Sequence, residues 1–173
     1  MLGGAQEAIV SNRADLVIGT GAEAMPSSGN KYNKIGEIEW FFAVAPGHGL
    51  TNAPLPLTSQ LIEQHRFIVV RNSARNQASQ SCRVFSKRPV LSVPSITEKI
   101  LAQCLGLGFG FLPAHRIQDR LEHGQLIALP VENAIPIEAI NMAWKTSNKG
   151  KVLRWFIDRL SRHDFNVSMP TSE

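Results

Sequence analysis

The chain has 173 residues, 43% of them apolar and 18% charged, with a net charge of +4. That length can bury a core as one domain or two small lobes, and the composition is that of an ordinary globular protein. No stretch reaches membrane-spanning length, and no segment concentrates Lys and Arg with aromatics between them, so neither a membrane span nor a nucleic-acid-binding stretch is expected.

Residues 2–12 read as a short helix, with Leu2, Ala5, Ala8 and Ile9 on one face and Asn12-Arg13 closing it. Asp15 to Gly19 is a short apolar run bounded by turn signals, hence a buried strand with Thr20, Gly21 and Ala22 at its carboxyl end. In an open α/β sheet that edge is where ligands sit. Residues 23–36 are polar and rich in Gly, Ser and Asn, and are expected to be loop. Glu39 to Ala45 is a strong strand, stopped by Pro46-Gly47-His48-Gly49. Thr58 to Gln64 carries helical signals, with Thr58 or Ser59 as the cap. Phe67 to Val70 is another strand; its exit, Arg71-Asn72-Ser73, offers donors and hydroxyls with little to bury. Residues 76–88 stay polar, as loop or loose helix.

The most informative stretch runs from Ser95 to Pro113. It follows an expected strand at Pro89 to Val93. Ser95 and Glu98 have capping-box spacing. Ile96, Ile100, Leu101 and Cys104 recur at helical spacing and predict one buried stripe. Gly106 suits a helix exit through positive φ. Phe109 and Phe111 alternate with Gly108 and Gly110, as in a strand packed on one face and closely approached on the other. The three glycines do not make a nucleotide loop, because the helix precedes them where a dinucleotide fingerprint needs a strand. A helix N-terminus at the carboxyl end of a strand does make a ready anion site.

Ala114 to Glu122 reads as a helix with Ile117 and Leu121 inward, ended by Gly124. Gln125 to Leu129 is a strand, 130–137 a proline-bearing connector, and Ala139 to Trp144 a strand. Residues 149–162 form a last helix with Val152, Leu153, Phe156, Ile157 and Leu160 as its stripe, and the tail after His163 is expected to be disordered. Strands alternate with helices, so the expected class is α/β with a largely parallel arrangement.

Catalysis has little support. His48, His65, His115, His123 and His163 share no spacing, no GxSxG is present, and Glu37 and Glu39 have no acid to oppose them. Cys82 and Cys104 belong to no CxxC or Cys/His cluster, so no metal and no cofactor is expected. Two lone thiols, and a start without a basic, apolar leader, point to the cytoplasm.

Four motifs occur in a family order: the helix leading into Arg13 to Gly19; Val44-Ala45-Pro46-Gly47-His48-Gly49-Leu50; Gly106 to Pro113; and Leu121-Glu122-His123-Gly124-Gln125-Leu126. Through them the chain resembles the effector-binding (regulatory) domain of LysR-type transcriptional regulators, over nearly its whole length. The resemblance implies a two-lobed, periplasmic-binding-protein-like (type II) α/β fold. Residues 1–44 and 130–173 would form the first lobe and 45–129 the second, with crossing strands near 40–45 and 126–130. A small polar or anionic effector would sit between the lobes. By matching position its contacts would be Thr20, Gly21, Arg71, Asn72, Ser73, Ser95, Ile96 and Thr97. The resemblance also implies a homodimer or tetramer in the full-length protein, and DNA contact only through an N-terminal helix-turn-helix that this sequence does not contain. The family's domain begins with strand, helix and strand ahead of residue 2, so the fold is expected to be N-terminally incomplete, a fragment or truncated product. A free-standing solute-binding protein of the same fold is the alternative.

Overall fold

The computed structural model describes residues 2–20, 29–71, 89–134, 136–163 and 165. In chain order the elements are α1 (Leu2–Val10), β1 (Leu16–Thr20), β2 (Asn30–Val44), a 3-10 turn (Gly49–Asn52), α2 (Ser59–Glu63), β3 (Phe67–Val70), β4 (Val90–Val93), α3 (Ile96–Cys104), β5 (Gly110–Pro113), α4 (Ala114–Glu122), β6 (Ile127–Ala128), β7 (Ile137–Lys145) and α5 (Lys151–Ser161). They fall into two units. One holds the described residues of Met1–Ile38 and Ile137–Ser168, the other those of Glu39–Arg71 and Gln80–Pro136.

In the first unit β1 pairs antiparallel with β7, from Leu16 against Trp144 to Thr20 against Ile140, and β7 lies beside β2. Helix α1 covers one face of this pair: Ile9 is fully buried and packs with Ala143 and Val17. The chain leaves α1 through Asn12 at φ 59, with the amides of Arg13 and Ala14 both donating to Ala8 O. Gly36 is required by a close approach, since a Cβ there would sit 2.5 Å from the carbonyl of Phe165, whose amide bonds Ile35 O.

Three expectations need correction here. Residues 30–36, expected as loop, belong to β2, whose first half is polar because Lys31 to Lys34 face solvent. The strand expected at Asp15 to Gly19 is only partly buried: alternation turns Val17 and Gly19 toward α1, while Ile18 stays 47% exposed. In α5 only Leu153 is buried, whereas Val152, Trp155 and Phe156 are exposed, so its apolar stripe is not a core face.

In the second unit β3 and β4 run parallel, Phe67 against Val90 through Val70 against Val93. Phe109 bridges to Phe67 in parallel, and β5 then pairs antiparallel with the second half of β2, which also takes β6. The β3–β4 ladder is parallel, whereas the β1–β7, β2–β5 and β2–β6 ladders are antiparallel. Both β5 and β6 meet the second half of β2 in the antiparallel sense. Alternation along β2 feeds two cores. Phe42 and Val44 join Leu50, Leu57, Ile62, Phe67, Val69, Phe109 and Leu129, while Ala43 joins Ile100, Leu112, Ile117 and Leu126. Phe42 stacks on Phe109 and meets Phe111 edge-on, at centroid distances of 5.1 and 5.4 Å.

The Ser95–Pro113 stretch folds as helix, positive-φ glycine and strand, with Gly106 at φ 72. The buried arc of α3 differs from the expected stripe. Leu101 is 58% exposed, and the arc is centred on Gln103, with Lys99, Ile100 and Ala102. Ile96 and Cys104 pack beside it, half-buried. Gly110 explains why two polar side chains fit there. A Cβ on Gly110 would come within 2.8 Å of the Gln103 side-chain amide and 2.9 Å of Lys99 Cε, and one on Gly108 would lie 2.4 Å from Arg66 O. The expected strand at Gln125 to Leu129 shortens to Ile127–Ala128. Residues 76–88, the tail from 166 and Cys82 lie outside the described residues.

Candidate functional site

The parallel pair β3–β4 delivers two chain exits to one edge of the second unit. Val70 and Val93 are paired, and the Arg71 amide donates to Val93 O at 2.8 Å, which fixes the exits side by side. From one exit the side chain of Arg71 emerges, exposed; from the other the chain turns through Pro94 into α3. Ser95 is extended, at φ -143 and ψ 170, and its Oγ accepts from the amides of Thr97 and Glu98 at 3.2 and 3.4 Å. The helix start therefore presents amide donors and the positive end of its dipole to this edge, with Glu98 as the one acid in the first turn.

A third chain corner joins it. Strand β5 runs parallel to β3 through the Phe67–Phe109 bridge, so Pro113 ends it at the same edge, and α4 starts directly after it with no side-chain cap. Arg116, in the first turn of α4, donates from Nη2 to Thr97 Oγ1 at 3.3 Å. That bond orients the Thr97 hydroxyl and adds a second guanidinium to the edge that carries Arg71. Two cations and two helix N-termini suit a carboxylate or another small anion.

Of the residues expected to bind, Arg71, Ser95, Ile96 and Thr97 are brought together here. Thr20 ends β1 in the first unit, paired with Ile140. Gly21, Asn72 and Ser73 lie outside the described residues. Arg116 escaped the sequence reading because its contact with Thr97 arises only when the start of α4 meets the start of α3. Its position in the first turn after Pro113 was the available signal.

Behind the edge lies Lys99, 7% exposed, donating to Phe111 O at 2.9 Å and standing 5.5 Å from the Phe67 ring centroid. Burial pushes its ammonium down to about 8. Gln103, fully buried, ties α3 to both neighbouring strands once its amide is oriented to donate to Ala43 O at 3.1 Å and accept from Gly110 N at 3.2 Å. Elsewhere, the His48 and His65 rings meet at a tilt of 46° with centroids 4.9 Å apart. His48 Nδ1 accepts from Leu50 N, and burial followed by the neighbouring His65 lowers its pKa. Cys104 is half-buried, and burial raises its thiol pKa. Among the described residues no group of three or more His, Cys, Asp or Glu could hold a metal ion, and no helix is long and apolar enough to cross a membrane.

The chain's relatives agree with this architecture. The family model described as LysR substrate binding domain matches residues 3–164. The uncharacterized HTH-type transcriptional regulator YeeY of Escherichia coli is 31% identical over 160 residues, covering 92% of this chain and 52% of the relative. The chain thus spans about half the length of the curated relatives it matches. Among solved structures, the regulatory domain of MetR, a LysR family regulator from N. meningitidis, superposes with a TM-score of 0.70 at 17% identity, covering 91% of this chain and 73% of that one. The regulatory domain of CcmR from Synechocystis, in complex with 2-PG, gives 0.71 at 14% identity, covering 95% and 81%. The chain belongs to the LysR substrate-binding domain family, whose regulatory domains share its type II periplasmic-binding-protein-like α/β fold.

Proposed function

We propose that this chain is the effector-sensing domain of a LysR-type transcriptional regulator, binding a small polar or anionic metabolite and performing no catalysis. The observation that carries the reading is the shared edge of β3, β4 and β5, where Arg71, the capped start of α3 and the Arg116–Thr97 pair stand together. The CcmR domain of the same fold, solved with 2-PG, supports it. In this reading the lobes are 1–44 with 130–173 and 45–129. The site takes Thr20, Gly21, Asn72 and Ser73 as further contacts, and the complete regulator is a cytoplasmic homodimer or tetramer that reads DNA through a separate N-terminal domain. A guest that favours one of two states of the assembly would shift their populations and so modulate transcription.

The test is a thermal-shift screen with acetate, succinate, citrate and phosphate against sodium chloride at matched ionic strength. At least one anion raises the melting temperature beyond the salt control, and Thr97→Ala lowers its calorimetric affinity without changing urea unfolding. A panel with no specific shift, or an unchanged affinity in Thr97→Ala, contradicts the proposal. Sequence-specific retardation of DNA by this chain alone would contradict the assignment of DNA contact to another domain.

A further inference from the structure

Helix α3 buries one arc and leaves the opposite one bare. Leu101 is 58% exposed, Leu105 65% and Leu107 45%. Leu101 and Leu105 stand one turn apart on the same face, and the amide of Leu105 donates to Leu101 O, so helical geometry holds as far as the second leucine. The helix exit keeps the third in place. The amide of Gly106 donates to Gln103 O and that of Leu107 to Ala102 O, the paired bonds that close a helix end through a left-handed glycine. Together the three leucines expose on the order of 300 Å², the size of the largest apolar patch on many monomers and often the mark of a functional surface.

One flank of this row is cationic. Helix α4 lies against α3, with Ile117 and Leu121 in the same cluster as Ile96, Ile100 and Cys104. Arg116 reaches Thr97, one turn ahead of Leu101 on its face. Cys104, whose thiol burial pushes up, feels the opposing charge of Arg120, one turn further along α4. Two guanidiniums therefore border α3 on its Thr97–Cys104 side, one near its first turn and one near its last. Glu98, the one acid of α3, falls on the other side of Leu101 from Thr97.

Size and charge choose the occupant. A stable dimer buries roughly 800 Å² on each partner, far more than this row offers, whereas a docked amphipathic helix needs only a few apolar anchors at helical spacing. Carboxylates on that helix would meet Arg116 and Arg120, and rim charges of this kind select the partner and speed its encounter. We propose that the α3–α4 surface docks an acidic amphipathic helix of another protein, with its apolar residues on Leu101, Leu105 and Leu107 and its carboxylates toward the two arginines. The proposal stands apart from the effector reading and holds whether or not an anion is bound.

The probe is a fluorescein-labelled, side-chain-stapled helical peptide of about 15 residues, with leucines three and four residues apart and glutamates along one flank. Its controls carry lysines for the glutamates, or serines for the leucines. Fluorescence anisotropy shows the glutamate–leucine peptide bound and both controls weakened. Leu105→Ser weakens it about tenfold, Arg120→Ala weakens it roughly threefold at low salt and less at high salt, and Trp155→Ser on the exposed face of α5 leaves it unchanged. Urea unfolding of each variant checks that the fold is intact. In 15N-labelled protein the peptide shifts amides of Leu101 to Leu107 and of Arg116 to Arg120. No binding, equal binding of the three peptides, an unchanged affinity in Leu105→Ser, or shifts gathered on α5 overturns the proposal. Sedimentation showing a dimer that Leu105→Ser dissolves overturns it too, since the face would then belong to a second copy of the chain.

Discussion

Replacing Lys99 with methionine should stabilise the chain at neutral pH and lose that advantage in alkali. Lys99 is buried against Phe67, its ammonium donating to Phe111 O. Burial pushes its pKa down to about 8 from 10.5. A displacement of that size corresponds to about 3 kcal/mol charged against the folded state whenever the ammonium is protonated. Methionine keeps the length, removes the charge and can lay its sulfur on Phe67. It forfeits a hydrogen bond worth about 1–2 kcal/mol, so the variant should gain about 1–2 kcal/mol at pH 7. Because the unfolded chain holds the proton more tightly, wild-type stability rises as pH passes from about 8 toward about 10.4, and the gap between the proteins closes. Urea unfolding of both at pH 7, 8, 9 and 10 reads this directly. A methionine variant less stable at pH 7, or a gap that does not change with pH, would refute the reasoning.

Gly108→Ala drives a Cβ to 2.4 Å from the Arg66 carbonyl, which is backbone and cannot give way, whereas Gly110→Ala meets the side chains of Gln103 and Lys99. Urea unfolding should show a loss of about 3 kcal/mol or more at Gly108 and a smaller one, about 1–2 kcal/mol, at Gly110; the reverse order would contradict the packing described. Ser95→Ala removes the acceptor for two first-turn amides and should cost about 1 kcal/mol, while Ser95→Asp retains the cap; equal losses in both would rule out capping as the cause. His48 accepts from Leu50 N in its neutral form, and its folded pKa is lowered by burial and by His65. Its contribution is therefore present above about 6.5 and lost as pH falls below that, so His48→Asn, which can still accept, should flatten melting temperature between pH 7 and 5. A variant as acid-sensitive as the wild type would show that the loss arises elsewhere.

The local grammar of the chain was legible where chemistry is local. The Ser95 cap, the Gly106 exit, the Thr58 cap and the inward Ile117 each depend on neighbours a few residues away, and each stands in the structure. Arg71 and the start of α3, picked out at strand ends in the sequence, stand side by side because β3 and β4 are paired. What depends on distant partners was not legible. The start of β2 at Asn30 is hidden by solvent-facing lysines and asparagines, since only Ile35 and Gly36 are buried in its first half. Lys99 and Gln103 look like surface residues of an amphipathic helix until the missing Cβ atom of Gly110 is seen as the room they occupy. Leu101 reads as core by hydrophobicity alone but falls outside the arc that the strands cover. The bond from Arg116 to Thr97 joins residues 19 apart, a separation no periodicity reports.

The central claim is that a small anion is held where β3, β4 and β5 end. Amide hydrogen exchange, with and without the anion that gives the largest thermal shift, tests it most directly. The account predicts slowed exchange concentrated at Arg71, at Ile96 to Glu98 and at the start of α4. Protection spread evenly over the chain, or gathered on α5 and away from that edge, would contradict it.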